Sequence, residues 1–369
     1  MKNKIKKYVL SAISVIMSVT IILCLCACGT TNNFSPKNTA LSIHTDKQKD
    51  YLDKDYDSIV LFADGMQELS RPKPILFSWD KSITAKTLEI STRADFTDSQ
   101  KYEVGGESYE IYNLMIGSEY FWRITDISGK THESIKFTTE NCAPRNLYID
   151  GITNARDLGG WALADGGRVK QGLIYRCGRL NESNRPDVNV EITASGIDVM
   201  KNQLGIKSEI DLRTVGDPDN ENGGLTSSPL GKDVNYYSVP MYWNLSAGIN
   251  YLTDTDSRLQ IRKMFELLAD EQNYPLIFHC NIGTDRTGLY SFLINALLGV
   301  KIDDLYRDYL FSNFGSIGGS RQPSGLKELI DTVITFEGTT FAQKTENCLL
   351  DIGITHEQIA FLRNQLTEK

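Results

Sequence analysis

The pattern of hydrophobic and polar positions changes character near residues 28, 58 and 146. Behind Lys2, Lys4, Lys6 and Lys7 an uncharged, mostly apolar run extends from Tyr8 to Ala27, the layout of a secretory signal over residues 1–27. Residues 28–57 are rich in Thr, Asn, Ser, Lys and Asp, which predicts a solvated, flexible tether. From 58 to 140 the pattern shortens to alternating segments, Ile75–Trp79, Thr87–Ser91, Tyr109–Tyr112, Tyr120–Ile124 and Ile135–Phe137. With turn residues between them and no helical period, these predict a small all-β sandwich.

Beyond Cys142-Ala-Pro144-Arg, strand-like and helix-like stretches alternate over 146–369, as in an α/β layer fold with a central, mostly parallel sheet flanked by helices. Leu204–Arg213 reads as a helix end followed by a strand, and Tyr274–His279 as a short apolar strand of the same buried sheet. After Arg286 the period becomes helical, with Leu289, Phe292, Leu293, Ala296 and Leu297 on one face. Further helices are predicted around 302–313, 324–336, 340–351 and 356–367, the last opened by a capping box of Thr355 and Gln358.

Composition changes this picture little: 41% apolar and 9% aromatic residues are ordinary for a globular chain. The net charge of −8 matters more, because removing the four lysines of residues 1–27 leaves 35 basic against 47 acidic side chains. Such a balance argues against a nucleic-acid partner. Cys142, Cys177, Cys280 and Cys348 are scattered, so neither a disulfide framework nor a metal site is expected, and no cofactor is implied. The Tyr8–Ala27 run is long enough to span a bilayer. However, Leu25-Cys26-Ala27-Cys28-Gly29 resembles the bacterial lipobox, which implies lipidation at Cys28 and a chain anchored on the extracellular side of a bacterial membrane.

Candidate chemistry concentrates in His279-Cys280-Asn281-Ile282-Gly283-Thr284-Asp285-Arg286-Thr287-Gly288, between the apolar strand and the helix. A loop of that length curls so that the backbone N–H groups of Asn281 to Arg286 converge, and the helix N-terminus adds partial positive charge, making an anion cradle. At its base the Cys280 thiol faces those dipoles, which favour the thiolate over a free thiol of pKa about 8.5 and make it a nucleophile at neutral pH. Arg286 can present two parallel N–H groups to two phosphoryl oxygens, binding substrate and stabilising the transition state. Gly283 permits the tight turn, and the Thr287 hydroxyl can donate to the thiolate. His279 is read as a hydrogen-bonded positioning residue rather than as a charge that activates the thiol. Cys177 is read as a small buried residue rather than a partner thiol.

This loop resembles the signature of the cysteine-dependent protein tyrosine phosphatase superfamily. Asn154-Ala-Arg156-Asp157-Leu-Gly-Gly160, Gly172–Arg176, Leu204-Gly-Ile206, Asp211-Leu-Arg213, Asp285 beside Arg286, Asp308-Tyr-Leu310 and Ser312-Asn313 narrow it to a bacterial subfamily of tyrosine and dual-specificity phosphatases. The resemblance implies a cysteinyl-phosphate intermediate and a phosphorylated protein or small phosphomonoester as substrate. The usual Trp-Pro-Asp acid is missing, since Val239-Pro240-Met-Tyr-Trp243-Asn244 lacks the carboxylate. Similar proteins suggest Asp285 as proton donor, with Asp211 the second candidate; loop-bracing and ion-pair roles are the respective alternatives. Thr284 stands where relatives often carry lysine, which disfavours polyanionic lipid headgroups. Leu114-Met-Ile-Gly117-Ser-Glu-Tyr120 resembles the tyrosine corner of fibronectin type III modules. Two other readings remain at this point: a phytase-like or phosphoinositide phosphatase, and an inactive surface protein that binds phosphate or adheres.

Overall fold

The computed structural model describes residues 34–181, 191–215, 224–242 and 250–369. The leader, the tether's first residues, Cys28, Trp243 and Asn244 lie outside them. The chain divides into two compact units, one of residues up to Lys37 with Leu76–Tyr109 and Phe121–Lys136, the other of Asn38–Ile75, Glu110–Tyr120 and Phe137–Lys369. No helix among the described residues is long and apolar enough to cross a membrane.

The smaller unit follows from strand alternation. The strands of this stretch are β2 (Ile75–Ser78), β3 (Ala85–Ser91), β4 (Gln100–Glu103), β5 (Ser108–Ile111) and β6 (Glu119–Asp126). β3 lies between β4 and β6 in antiparallel register, with Leu88 opposite Ile124 and Ile90 opposite Trp122. Trp122 and Ile124 are buried, whereas Phe121 and Arg123, which alternate with them, are half-buried, the period of two expected of a sheet with one inner face. Phe77 meets Trp122 edge to face, centroids 5.1 Å apart.

The larger unit departs from the expected boundaries. The stretch expected as a tether carries β1 (Ala40–Leu41) and α1 (Asp46–Leu52), the latter opened by a capping box of Thr45 and Gln48. Tyr51, Ile59 and Ala63 are buried in the core of the α/β unit. The polar composition concealed this because the buried Gln48 satisfies its amide on the Leu69 and Arg71 carbonyls, at 2.7 and 3.1 Å. Residues 110–120 also belong to this unit: Arg145 donates to the Asn113 and Leu114 carbonyls, at 2.5 and 3.1 Å.

The strands that follow are β7 (Ile135–Thr139), β8 (Arg156–Asp157), β9 (Arg168–Val169), β10 (Ile174–Cys177), β11 (Ser208–Asp211), β12 (Asn235–Ser238), β13 (Leu276–His279) and β14 (Thr367–Glu368). The central sheet runs β12-β11-β13-β10-β8, parallel except for β8, which is antiparallel to β10. It is therefore a mixed sheet with one reversed edge. Leu276 and Phe278 pack into one apolar cluster and Ile277 into another, so β13 is buried on both faces.

The helices are α2 (Ala194–Asp198), α3 (Thr255–Leu268), α4 (Asp285–Leu298), α5 (Ile302–Phe311), α6 (Ser324–Ile334), α7 (Phe341–Ile352) and α8 (His356–Leu366). The capping box of Thr355 and Gln358 opens α8 as expected. The one-faced pattern read for α4 is incomplete, because every residue from Asp285 to Leu298 is buried. That helix packs against α5 and α7 as well as β13, so it has no solvent face. Gly299, at φ 101°, ends it in the left-handed conformation.

Candidate active site

β13 delivers Cys280 at its C-terminal end, and α4 begins five residues later at Asp285. The turn between them requires Gly283, which sits at φ 71°; a Cβ there would lie 2.4 Å from the Cys177 carbonyl oxygen. The loop carbonyls are drawn outward. Asn281 O accepts from Arg179 N–H at 3.0 Å. The Asn154 amide donates to Ile282 O and Gly283 O at 3.1 and 3.0 Å, and Arg176 Nη2 donates to Gly283 O at 2.8 Å. Across a trans peptide the next N–H points opposite its carbonyl. The N–H groups of Ile282, Gly283 and Thr284 are therefore aimed toward the inside of the loop.

The outer brace is ionic. Arg156 Nε meets Asp308 Oδ1 at 2.9 Å, and Arg176 Nη1 meets Asp308 Oδ2 at 2.6 Å. Arg156 Nη1 also donates to Asn154 Oδ1 at 2.5 Å, orienting the amide that holds the loop. Burial raises the Asp308 carboxyl, but the two guanidinium groups outweigh it and leave it lowered. Asn154, Arg156, Arg176 and Asp308, quoted above as scattered motifs, thus form one scaffold for the loop.

Burial also pushes the Cys280 thiol up. The Arg286 charge, followed by the Thr287 hydroxyl and backbone N–H, reverses that and brings the thiol below its ordinary value. The Thr287 hydroxyl is buried with no hydrogen-bond partner of its own, which leaves its proton free for a thiolate at Cys280. Arg286, buried in the first turn of α4, is steadied by the Met241 carbonyl at 3.4 Å from Nη1. Asn281 and Ile282 are half-exposed, so the cradle opens to solvent on their side.

The remaining candidates separate. Asp285 does lie beside the loop, and its carboxylate is held in bidentate fashion by Arg321, Nε–Oδ1 2.9 Å and Nη2–Oδ2 3.0 Å. Asp211 is bound to Arg213 at 2.8 Å and accepts from the Tyr236 hydroxyl at 3.1 Å. Burial raises Asp211, but His279 and Arg213 outweigh this and leave it lowered. His279 places Nε2 3.0 Å from Glu209 and Nδ1 3.3 Å from the Cys280 carbonyl. Burial lowers this imidazole, yet Asp211 and Glu209 together raise it. The Thr284 hydroxyl is buried and accepts from the Asn154 amide at 3.3 Å.

Glu209, Asp211 and His279 bring ligand-type atoms within 4.8 Å of one another. Their atoms already serve one another, Arg213, Tyr236 and Ser228, which makes this a paired polar cluster. Cys142, Cys177, Cys280 and Cys348 are all free thiols.

A buried thiol and a buried arginine thus stand at the two ends of one short loop at a strand–helix junction. Residues 147–368 match the tyrosine phosphatase family, and the chain belongs to that family. A Cupriavidus necator protein named for the tyrosine-protein phosphatases is 31% identical over 188 residues, covering 46% of this chain and 63% of that protein. A tyrosine-protein phosphatase of Nostoc commune is 34% identical over 56 residues, 15% of this chain and 19% of its own length. The chain thus spans less than two thirds of the relatives it matches. The core catalytic domain of the PP-IP phosphatase SIW14 from S. cerevisiae aligns at 19% identity and a TM-score of 0.30, over 44% of this chain and 83% of that domain.

Proposed function

We propose that the chain is a protein tyrosine or dual-specificity phosphatase that works through a cysteinyl-phosphate. The observation that carries this is Cys280 at the end of β13 and buried Arg286 in the first turn of α4, joined by a loop whose carbonyls are held from outside. Cys280 Sγ attacks phosphorus; the P–S bond forms as the P–O ester bond breaks, and the departing oxygen takes a proton from Asp285. Water then attacks phosphorus, Asp285 recovers a proton from it, and the P–S bond breaks to free the thiolate and phosphate. Arg286 and the inward N–H groups stabilise the charge that builds on the equatorial oxygens.

The same reading places the enzyme at a bacterial cell surface, anchored through lipid on Cys28. It takes the smaller unit as a fibronectin type III-like spacer or docking module. At the edge of that unit, within the larger one, the Tyr120 hydroxyl accepts from Met115 N–H at 2.8 Å, the bond of a tyrosine corner.

The test is steady-state hydrolysis, in EDTA, by the fragment beginning at residue 29 and by its Cys280→Ser variant. Substrates would be an aryl phosphate, phosphotyrosine and phosphoserine peptides, a phosphoinositide and inositol hexakisphosphate. We expect turnover on phosphotyrosine peptide that falls at least about a thousandfold in the variant. Preference for inositol hexakisphosphate or the lipid would replace the substrate assignment, and no turnover by folded protein on any of them would make the chain a binding protein.

A further inference from the structure

Asp285 is the first residue of α4, where a carboxylate ordinarily turns to the free N–H groups of the helix end. Here both its oxygens are taken by Arg321, thirty-six residues downstream. The Asp285 side chain is only 2% exposed and that of Arg321 23%, so the pair is formed largely out of water. A bidentate guanidinium fixes the plane as well as the position of a carboxylate.

Arg321 is itself held at the backbone. Asn313 accepts from Arg321 N–H at 2.6 Å through Oδ1 and donates to the Arg321 carbonyl at 3.0 Å through Nδ2. The loop leading to it is fastened to the segment before the β-module. Gly65 O accepts from Ile317 and Gly318 N–H at 2.8 and 3.0 Å, and Gly65 N–H donates to Asn313 O at 2.9 Å. Gly65 stands at φ 78°, and a Cβ there would come within 2.6 Å of the Gly319 carbonyl oxygen. Residues 65–70 lie outside the family-matched stretch 147–368, so part of this support comes from beyond the shared domain.

We propose that Arg321 is a positioning residue for catalysis, holding the Asp285 carboxylate in the orientation from which it serves the departing ester oxygen. The proposal rests on the reading of Asp285 as proton donor. A proton donor matters most when the leaving group is poor, because a strongly acidic phenol departs as its anion without help. A general loss of structure slows every substrate by the same factor.

The experiment measures kcat of the full mature chain on aryl phosphates whose phenols range from weakly to strongly acidic, for the parent, Arg321→Met, Arg321→Lys and Asp285→Asn. Arg321→Met is expected to lose roughly 10²-fold on phenyl phosphate and far less on the most acidic phenol. Arg321→Lys, which keeps the charge but not the fork, should fall between. Arg321→Met combined with Asp285→Asn should be no slower than Asp285→Asn alone, and vanadate affinity should stay within about twofold because the cradle is untouched. If Asp285→Asn is steep across the series and Arg321→Met is flat, Arg321 has no such role and the inference falls alone. If Asp285→Asn is itself flat, the proton-donor reading falls and this inference with it.

Discussion

A thiol walled in by apolar side chains holds its proton more tightly than a free one, so the lowered position of Cys280 depends on the groups that face it. Thr287→Val removes one of these while keeping the volume. A hydrogen bond to a charged group is worth about 1.5–3 kcal/mol, so the midpoint of iodoacetate alkylation against pH should rise by roughly 1 pH unit or more. An unchanged midpoint would mean that Arg286 and the backbone act without the hydroxyl. His44 titrates in the same sense for a different reason. Burial brings it to about 4, opposed by the Pro144 carbonyl, 2.8 Å from Nε2, and by Glu140, while Lys49 adds to the lowering. The folded form therefore refuses a proton that the unfolded chain accepts below about 6.5. Stability is complete above that pH and is lost as pH falls toward 4, by up to about 3 kcal/mol. Urea midpoints of the parent and His44→Gln, taken at pH 7.5 and pH 5, should converge on the acid side; parallel curves would show that His44 contributes nothing.

At the scale of elements the loop between β13 and α4 is held from outside, and Asn154 is its principal grip. Asn154→Ala leaves the Ile282 and Gly283 carbonyls short of a donor, at about 1–3 kcal/mol, and puts alanine at φ 57°, a conformation asparagine tolerates better. Vanadate affinity should fall at least about tenfold; retained affinity would place the loop under the control of Arg176 instead. The loop itself was legible in the sequence because strand, thiol, glycine, arginine and helix are contiguous there. Its brace was legible only as motifs, since nothing in the spacing shows that Arg156 and Arg176 meet at Asp308. Arg321 was not legible at all, an isolated arginine in a Gly- and Ser-rich stretch whose partner is set by tertiary packing. The fully buried α4 was read as one-faced because Asp285, Arg286, Ser291 and Asn295 look like a polar side until the site and its neighbours cover them.

For the whole molecule the consequence lies in residues 38–75. Their buried members are spaced too irregularly to give a period, and three, His44, Gln48 and Ser70, are polar, so the part up to residue 57 read as tether. Yet Tyr51 packs on Phe314 and Phe311, centroids 5.7 and 6.4 Å away, and Ile59 is wholly buried in the same core. Full burial of side chains of this size is worth about 1.5–3 kcal/mol each. A domain whose entire stability is about 5–15 kcal/mol cannot lose several of them without visible cost. The fragment 147–369, which contains the whole family-matched stretch, should therefore melt well below the chain beginning at Phe34 and expose Phe311 and Phe314 to a hydrophobic dye. Tyr51→Ala in the longer chain isolates one of those contacts and should lower stability by about 3–5 kcal/mol. Should the short fragment melt at the temperature of the long one, residues 38–75 would be an accessory layer on a domain already complete from Leu147 onward, and the Tyr51→Ala loss should vanish with them.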